Sequence, residues 1–319
     1  MSCLYPVKIW LLLAQFRSPG TKTVLHEDYK IPKKYLDRYK QTVRPCGTCI
    51  ECRLQKSAYI ATRCVHQSKM SDHNCFLTLT YEDQNLPLDK SLHTRDMQLF
   101  WKKLRKQFPH KTIKYYAAGE YAPDTDRPHY HACVFNHDFL DRQYYKKTEN
   151  DDKIYTSETL NDLWGHGHCF IGDVTFESAA YVARYTIKKI YGPEAETHYL
   201  RYHPDGQPYW LTPERSWSSQ GLGEEWFLKY YSDVYPSDQI TLYGGRQLMP
   251  PPYYDKLLLK HDPDLWERVQ NQRAGKINKK LNNNLLERTL ENGKQVTRTS
   301  SDAVRRASIR VGKLDKQRN

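Results

Sequence analysis

No stretch of the 319 residues is apolar for long enough to cross a bilayer. The one early apolar run, Ile9 to Phe16, is short and precedes no typical cleavage pattern, so no convincing secretory signal is present. There is no internal repeat, which argues against solenoids and propellers. A small disulfide scaffold is also disfavoured. Of eight cysteines (3, 46, 49, 52, 64, 75, 133 and 169), three crowd into Cys46, Cys49 and Cys52, a spacing that suits metal binding or free thiols better. Acidic residues are outnumbered, 37 against 49 basic, for a net charge of +12. The expectation is a soluble protein of a reducing compartment, without a membrane role and with an anionic partner.

What is present is a tyrosine-rich, polar-surfaced chain with 25 Tyr and 39% apolar residues, long enough for one large core or two to three domains. Residues 272–319 hold thirteen Lys or Arg against four Asp or Glu, which leaves nine of the twelve net charges in a basic tail. Four regions are expected: a cysteine knuckle and helix over 1–75, a core over 76–192, an accessory region over 193–271 and the tail.

Residues 5–16 read as strand or helix, and 25–40 as loop or short helix. The knuckle Cys46-Gly-Thr-Cys-Ile-Glu-Cys-Arg leads into a helix over 54–70. Strict alternation makes Cys75 to Tyr81 a strand, and apolar residues at Met97, Phe100, Trp101, Leu104 and Phe108 make 94–108 a helix. Two strands, 113–121 and 129–135, flank a turn rich in Pro and Asp. A polar insertion over 137–155 is followed by a helix capped by Ser157, a strand over 168–174 and a helix capped by Thr175. That order predicts an α+β fold, an antiparallel sheet with helices across one face on the ferredoxin-like plan, its other face open.

Strand alternation turns His129 and His131 to one side and Tyr130 to the other. In an antiparallel hairpin Glu120 comes opposite them, and two imidazoles with a carboxylate suit a divalent metal. A polar hairpin face in water is the plain alternative. Tyr181 and Tyr185, four apart on a small-residue helix, share a face with Arg184 and Lys188 beside them. They are either an aromatic packing stripe or phenol nucleophiles, which need a metal or cations near the acceptor phosphate. Three thiolates lack a fourth zinc ligand. Cys3 is favoured over Cys64 or His66, and ordinary thiols are the alternative to structural Zn²⁺. His166 and His168 read as a surface turn rather than further metal contacts, and Thr78 and Thr80 as sheet-filling residues.

Thr78-Leu-Thr, Gly119-Glu-Tyr, Arg127-Pro-His-Tyr-His131 and Tyr181-Val-Ala-Arg-Tyr185, in that order, resemble the motifs of the HUH (His-hydrophobic-His) endonucleases. More closely, residues 46–192 resemble replication initiation proteins of gokushovirus-type single-stranded DNA phages. The resemblance implies an HUH core with metal ligands His129, His131 and Glu120 and nucleophiles Tyr181 and Tyr185. It also implies Mg²⁺ or Mn²⁺ as cofactor and rolling-circle replication through a 5′-phosphotyrosine. Arg184 stands where relatives often have lysine, and Lys188 is the better candidate for a catalytic lysine. The implied setting is the host bacterial cytoplasm, with single-stranded and supercoiled origin DNA, a host helicase and a polymerase as partners. Lys102, Lys103, Arg105 and Lys106, with Arg127, Lys188, Lys189 and the tail, are candidates for phosphate contacts. Tyr144, Tyr145, Tyr199 and Tyr202 are candidates for stacking on bases if exposed. The rivals are another HUH enzyme (plasmid initiator, relaxase or transposase), a zinc-bearing single-stranded DNA-binding protein, and a hydrolase that uses water.

Overall fold

The computed structural model describes residues 7–12, 14–16, 24–26, 29–149, 151–190, 192–235, 237–245 and 247–275. Cys3 and most of the basic tail, 276–319, lie outside the described residues, as do the side chains of Tyr185 and Lys188. The chain divides into two compact units, with the boundary between Gln55 and Lys56.

In the first unit, β1 (Val7–Leu12), β2 (Val24–His26) and β3 (Tyr39–Arg44) form an antiparallel sheet in the order β2-β1-β3. Val7 and Ile9, β-branched at alternate positions, favour the strand over the helix for the early apolar run. The charged stretch before β3 makes a short 3₁₀ helix, Lys33–Arg38, after Pro32. The cysteine turn then opens α1 (Ile50–Ser68), within which the boundary falls.

The second unit continues with β4 (Asn74–Thr80), α2 (Thr94–Gln107), β5 (Lys114–Tyr121) and β6 (Pro128–Phe135). Next come β7 (Gln143–Lys147), β8 (Lys153–Thr156), α3 (Glu158–Trp164), β9 (Cys169–Gly172) and α4 (Phe176–Lys188). Ser157 caps α3 by accepting from Leu160 N, and Thr175 and Ser178 close a reciprocal box at the start of α4. Beyond it lie α5 (Glu194–Tyr199), β10 (Leu200–Tyr202), β11 (Pro208–Trp210), β12 (Arg215–Ser218), α6 (Glu224–Val234), β13 (Ile240–Thr241), β14 (Gln247–Leu248) and α7 (Pro252–His261).

Seven strands pair antiparallel in the order β12-β5-β6-β4-β9-β8-β7. The fold is α+β. Two features of this sheet stand outside the sequence reading. The polar insertion over 137–155 supplies the edge hairpin β7–β8, and β12 returns from residues beyond 193 to pair with β5.

Alternate residues of each strand feed two separate cores. Leu77, Leu79, Ala117, Tyr130, Ala132 and Val134 face α2 and α3, where Phe100, Trp101, Leu104, Leu160 and Trp164 complete a large apolar cluster. Tyr116, Ala118, Cys133 and Phe135 face the other way and pack against Ala61 and Cys64 of α1 and Ala179, Val182 and Ala183 of α4. Helices therefore cover both faces, and the expectation of an open histidine-bearing face is corrected. The cause lies in the strands themselves, which are apolar on both sides over most of their length, so each side needs a partner. A third cluster joins α6, α7 and a helical run over 263–275, where Arg273 bonds Asp238 and Asp255 at 2.6–2.9 Å.

Candidate metal centre and the tyrosine helix

The centre is built on a hairpin whose register is fixed at its turn. Ala122 N donates to Arg127 O at 3.0 Å, and Asp126 takes a positive φ of 51° to close the loop. Glu120 then falls directly opposite His129, and Ala118 opposite His131. Gly119, facing the closed core, lets Tyr130 lie across it. A Cβ there would stand 2.8 Å from Leu92 Cδ2 and 3.1 Å from the Tyr130 ring.

Glu120 Oε1 lies 2.8 Å from His129 Nε2 and 3.3 Å from His131 Nε2, and the ligand atoms of the three residues fall within 4.8 Å of one another. The far nitrogens point elsewhere. His129 Nδ1 donates to Arg127 O at 3.1 Å, and His131 Nδ1 bonds the Thr78 hydroxyl at 3.1 Å. A neutral His129 in that tautomer turns its Nε2 lone pair toward the carboxylate, an arrangement that a shared cation relieves. Burial alone would raise the Glu120 carboxyl. Hydrogen bonds from His129 and His131 and their charges outweigh burial and hold it well below the usual carboxylate range. Two imidazoles and one ionised carboxylate, with orienting partners behind both imidazoles, fit a divalent cation.

Thr78 was not singled out by sequence reading as a participant. The signal available was positional, since Thr78 and His131 are direct cross-strand partners on one face. Arg127 braces the hairpin through Tyr81 O at 2.9 Å and Asp83 at 2.6 Å.

α4 crosses this face. Its buried Ala179 and Ala183 allow close approach to the sheet, and the Tyr181 ring meets His131 edge-on at 5.1 Å and Phe76 at 6.5 Å. Residue 185 follows one turn later on the same helix. Arg184 and Lys189 are half-buried. The basic residues Lys102, Lys103, Arg105 and Lys106 are exposed on α2, which packs on the opposite side of the sheet and does not border the cluster.

His166 packs on Trp164 and Tyr81, and His168 lies 3.7 Å from Glu82, so neither joins the cluster. Gly167 between them is held against the end of β4, where a Cβ would come 2.4 Å from Glu82 N. Tyr144, Tyr145 and Tyr202 are exposed, whereas Tyr199 is buried with its hydroxyl donating to Glu214, which corrects its expected role in stacking.

The sulfurs of Cys46, Cys49 and Cys52 also converge within 4.8 Å. Burial would raise the Cys46 thiol, but N–H groups of Cys49 and Thr48 outweigh it and lower the thiol from 9.0 to about 6, which favours the thiolate a metal needs. Cys64 is buried against Cys133, and His66 bonds Tyr254 at 2.9 Å and stacks on Trp226, so both are committed to the second unit's interior.

The family model for the replication-associated protein ORF2 matches residues 74–190, from the start of β4 to the end of α4. Replication-associated protein VP4 of Bdellovibrio phage phiMH2K is 33% identical over 273 residues, 83% of this chain and 80% of the relative. The chain belongs to the phage replication-associated protein family. Another member, replication-associated protein ORF2 of Spiroplasma virus 4, is 31% identical over 80% of each chain. Replication-associated protein ORF4 of Chlamydia phage 1 is 29% identical over 70% of this chain and 57% of its own. No solved structure gives a significant match. Among the described residues of this family member, no helix is long and apolar enough to cross a membrane.

Proposed function

We propose that this protein initiates rolling-circle replication of a gokushovirus-type phage genome by nicking and rejoining one DNA strand with tyrosine nucleophiles. The observation that carries the reading is the meeting of Tyr181 with His131 on the one face that holds Glu120, His129 and His131. The sheet supports it. β4–α2–β5 and β6–α3–β9 are two split strand–helix–strand units, and their strands lie in the order β5-β6-β4-β9, as the ferredoxin-like plan of an HUH core requires.

In the first step the phenol oxygen of Tyr181 or Tyr185 bonds to phosphorus at the origin. The P–O3′ bond breaks, and its electron pair leaves with the 3′ oxygen, which takes up a proton. The products are a 5′-phosphotyrosine and a 3′-OH that primes a host polymerase. The second tyrosine cuts the regenerated origin, and the released 3′-OH attacks the first phosphotyrosine to close the circle. No nucleotide cofactor is consumed, because each ester bond is exchanged for another. Held by Glu120, His129 and His131, Mg²⁺ or Mn²⁺ supplies charge stabilisation at the scissile phosphate. Thr78 and the Arg127 carbonyl hold the two imidazoles in the orientation that presents their Nε2 atoms. Arg184, Lys188 and Lys189 contribute positive charge along the tyrosine helix. Cys46, Cys49 and Cys52 hold a structural Zn²⁺, with Cys3 as fourth ligand. The reaction runs in the host cytoplasm on supercoiled origin DNA, opened with the help of a host helicase.

The test is a labelled single-stranded origin oligonucleotide incubated with the protein and Mn²⁺. The expected outcome is a protein–DNA adduct that persists in Tyr181→Phe or Tyr185→Phe alone and vanishes in the double variant. Cleavage by the double variant would overturn the assignment.

A further inference from the structure

The face that carries the metal cluster continues across the sheet to its far edge. Phe170 of β9 is the direct cross-strand partner of Thr78, so it stands on the same side as the threonine hydroxyl that bonds His131. Two strand spacings, ~10 Å, separate it from His131. The Tyr145 ring lies 5.6 Å from the Phe170 ring, tilted 34°, and is 54% exposed. Tyr145 reaches this face because the β7–β8 register slips between Tyr144 and Lys146, a bulge that places an additional residue on β7. Lys146 Nζ sits 5.6 Å from the Tyr145 ring centre. Neighbouring Tyr144 is equally accessible at 59% but turns the other way, against Tyr155, which packs on the closed core.

We propose that Phe170, Tyr145 and Lys146 form a stacking track along which single-stranded DNA runs between the sheet edge and the metal cluster. The proposal rests on the reading of that cluster as the DNA-cleaving site. Half-buried Phe170 and exposed Tyr145 offer successive aromatic surfaces, which unpaired bases stack on regardless of sequence. Lys146 supplies the charge for a phosphate, whereas Lys147 is paired with Asp151 at 2.5 Å. The span from His131 to Phe170 corresponds to about three stacked nucleotides at ~3.4 Å each. A duplex, with its bases already stacked on one another, has no use for such a row, so the occupant is a single strand.

The test separates binding from chemistry by working in EDTA. Full-length protein is titrated into fluorescein-labelled oligothymidylate of about 12 nucleotides, read by anisotropy at several salt concentrations. Tyr145→Ala is expected to weaken binding roughly 5- to 100-fold, Tyr145→Trp to retain it, and Tyr144→Ala to leave it unchanged. Lys146→Ala should lower the salt slope by about 0.7. Equal affinities for the Tyr144→Ala and Tyr145→Ala variants, or parallel losses on a duplex of the same length, would overturn the track. Those results leave the nuclease reading intact provided that the Mn²⁺-dependent adduct still forms. No binding of any single strand by the wild-type protein would overturn both.

Discussion

The two faces of the seven-stranded sheet come from the same strands yet have opposite characters. Toward α2 and α3 the strands present Leu77, Leu79, Ala132 and Val134, and the polar atom of the buried Tyr130 is satisfied by His93 N at 2.8 Å. Toward α4 the ends of the same strands present Thr78, Glu120, His129 and His131. Two buried histidines make the contrast concrete. His137, caged by Phe108 and Phe139 next to the closed core, has no hydrogen-bond partner for either ring nitrogen among the described residues. His131 faces a carboxylate through one nitrogen and a hydroxyl through the other. Burial of a histidine therefore does not mark a site. Convergence with groups that orient it does.

The largest expected effect breaks the chemical face alone. His129→Ala combined with His131→Ala should abolish cleavage while preserving the melting temperature and most salt-sensitive DNA binding, and retained cleavage would remove the metal role. The mirror experiment is Leu77→Ala or Leu79→Ala on the closed face. Either should cost about 2–5 kcal/mol of stability in urea titration, with activity lost only in step with the folded fraction. A finer cut is Thr78→Val, which keeps the shape and removes the hydroxyl behind His131. It should lower divalent-metal affinity about 10- to 100-fold by calorimetry and leave the far-ultraviolet circular dichroism unchanged.

How much of this contrast the residue order carries depends on sequence distance. The period of two in Cys75–Tyr81 and 129–135 sorts Tyr130 from its flanking histidines, and the short turn over 122–127 puts Glu120 across from His129. Both are local. The bond between Thr78 and His131 joins residues 53 positions apart, and the threonine type alone is common in strands. Helices on the chemical face were hidden because α1 packs on strands far along the chain. β12 was hidden because four residues in a Pro-, Gly- and Ser-rich stretch show no readable period. The β7–β8 hairpin was obscured by its bulge, which breaks alternation where it would have marked a strand.

The smallest expected effect concerns the closed-face histidine. Burial, then the charge of Lys111, lowers His137 from 6.5 to about 4. Between those values the unfolded chain takes up a proton that the folded chain refuses, so stability is full above pH 6.5 and declines as the pH falls toward 4. His137→Leu should flatten part of that decline in melting temperature and leave cleavage untouched. The buried His66, lowered to about 3, supplies a further part of the same decline.

The most direct measurement is the position of the covalent bond. The adduct formed on a single-stranded origin oligonucleotide, digested with protease and nuclease and sequenced by tandem mass spectrometry, should carry a nucleotide 5′-phosphate on Tyr181 or Tyr185. A nucleotide on any other residue, or cleaved DNA with a free 5′-phosphate and no linked protein, would contradict the account.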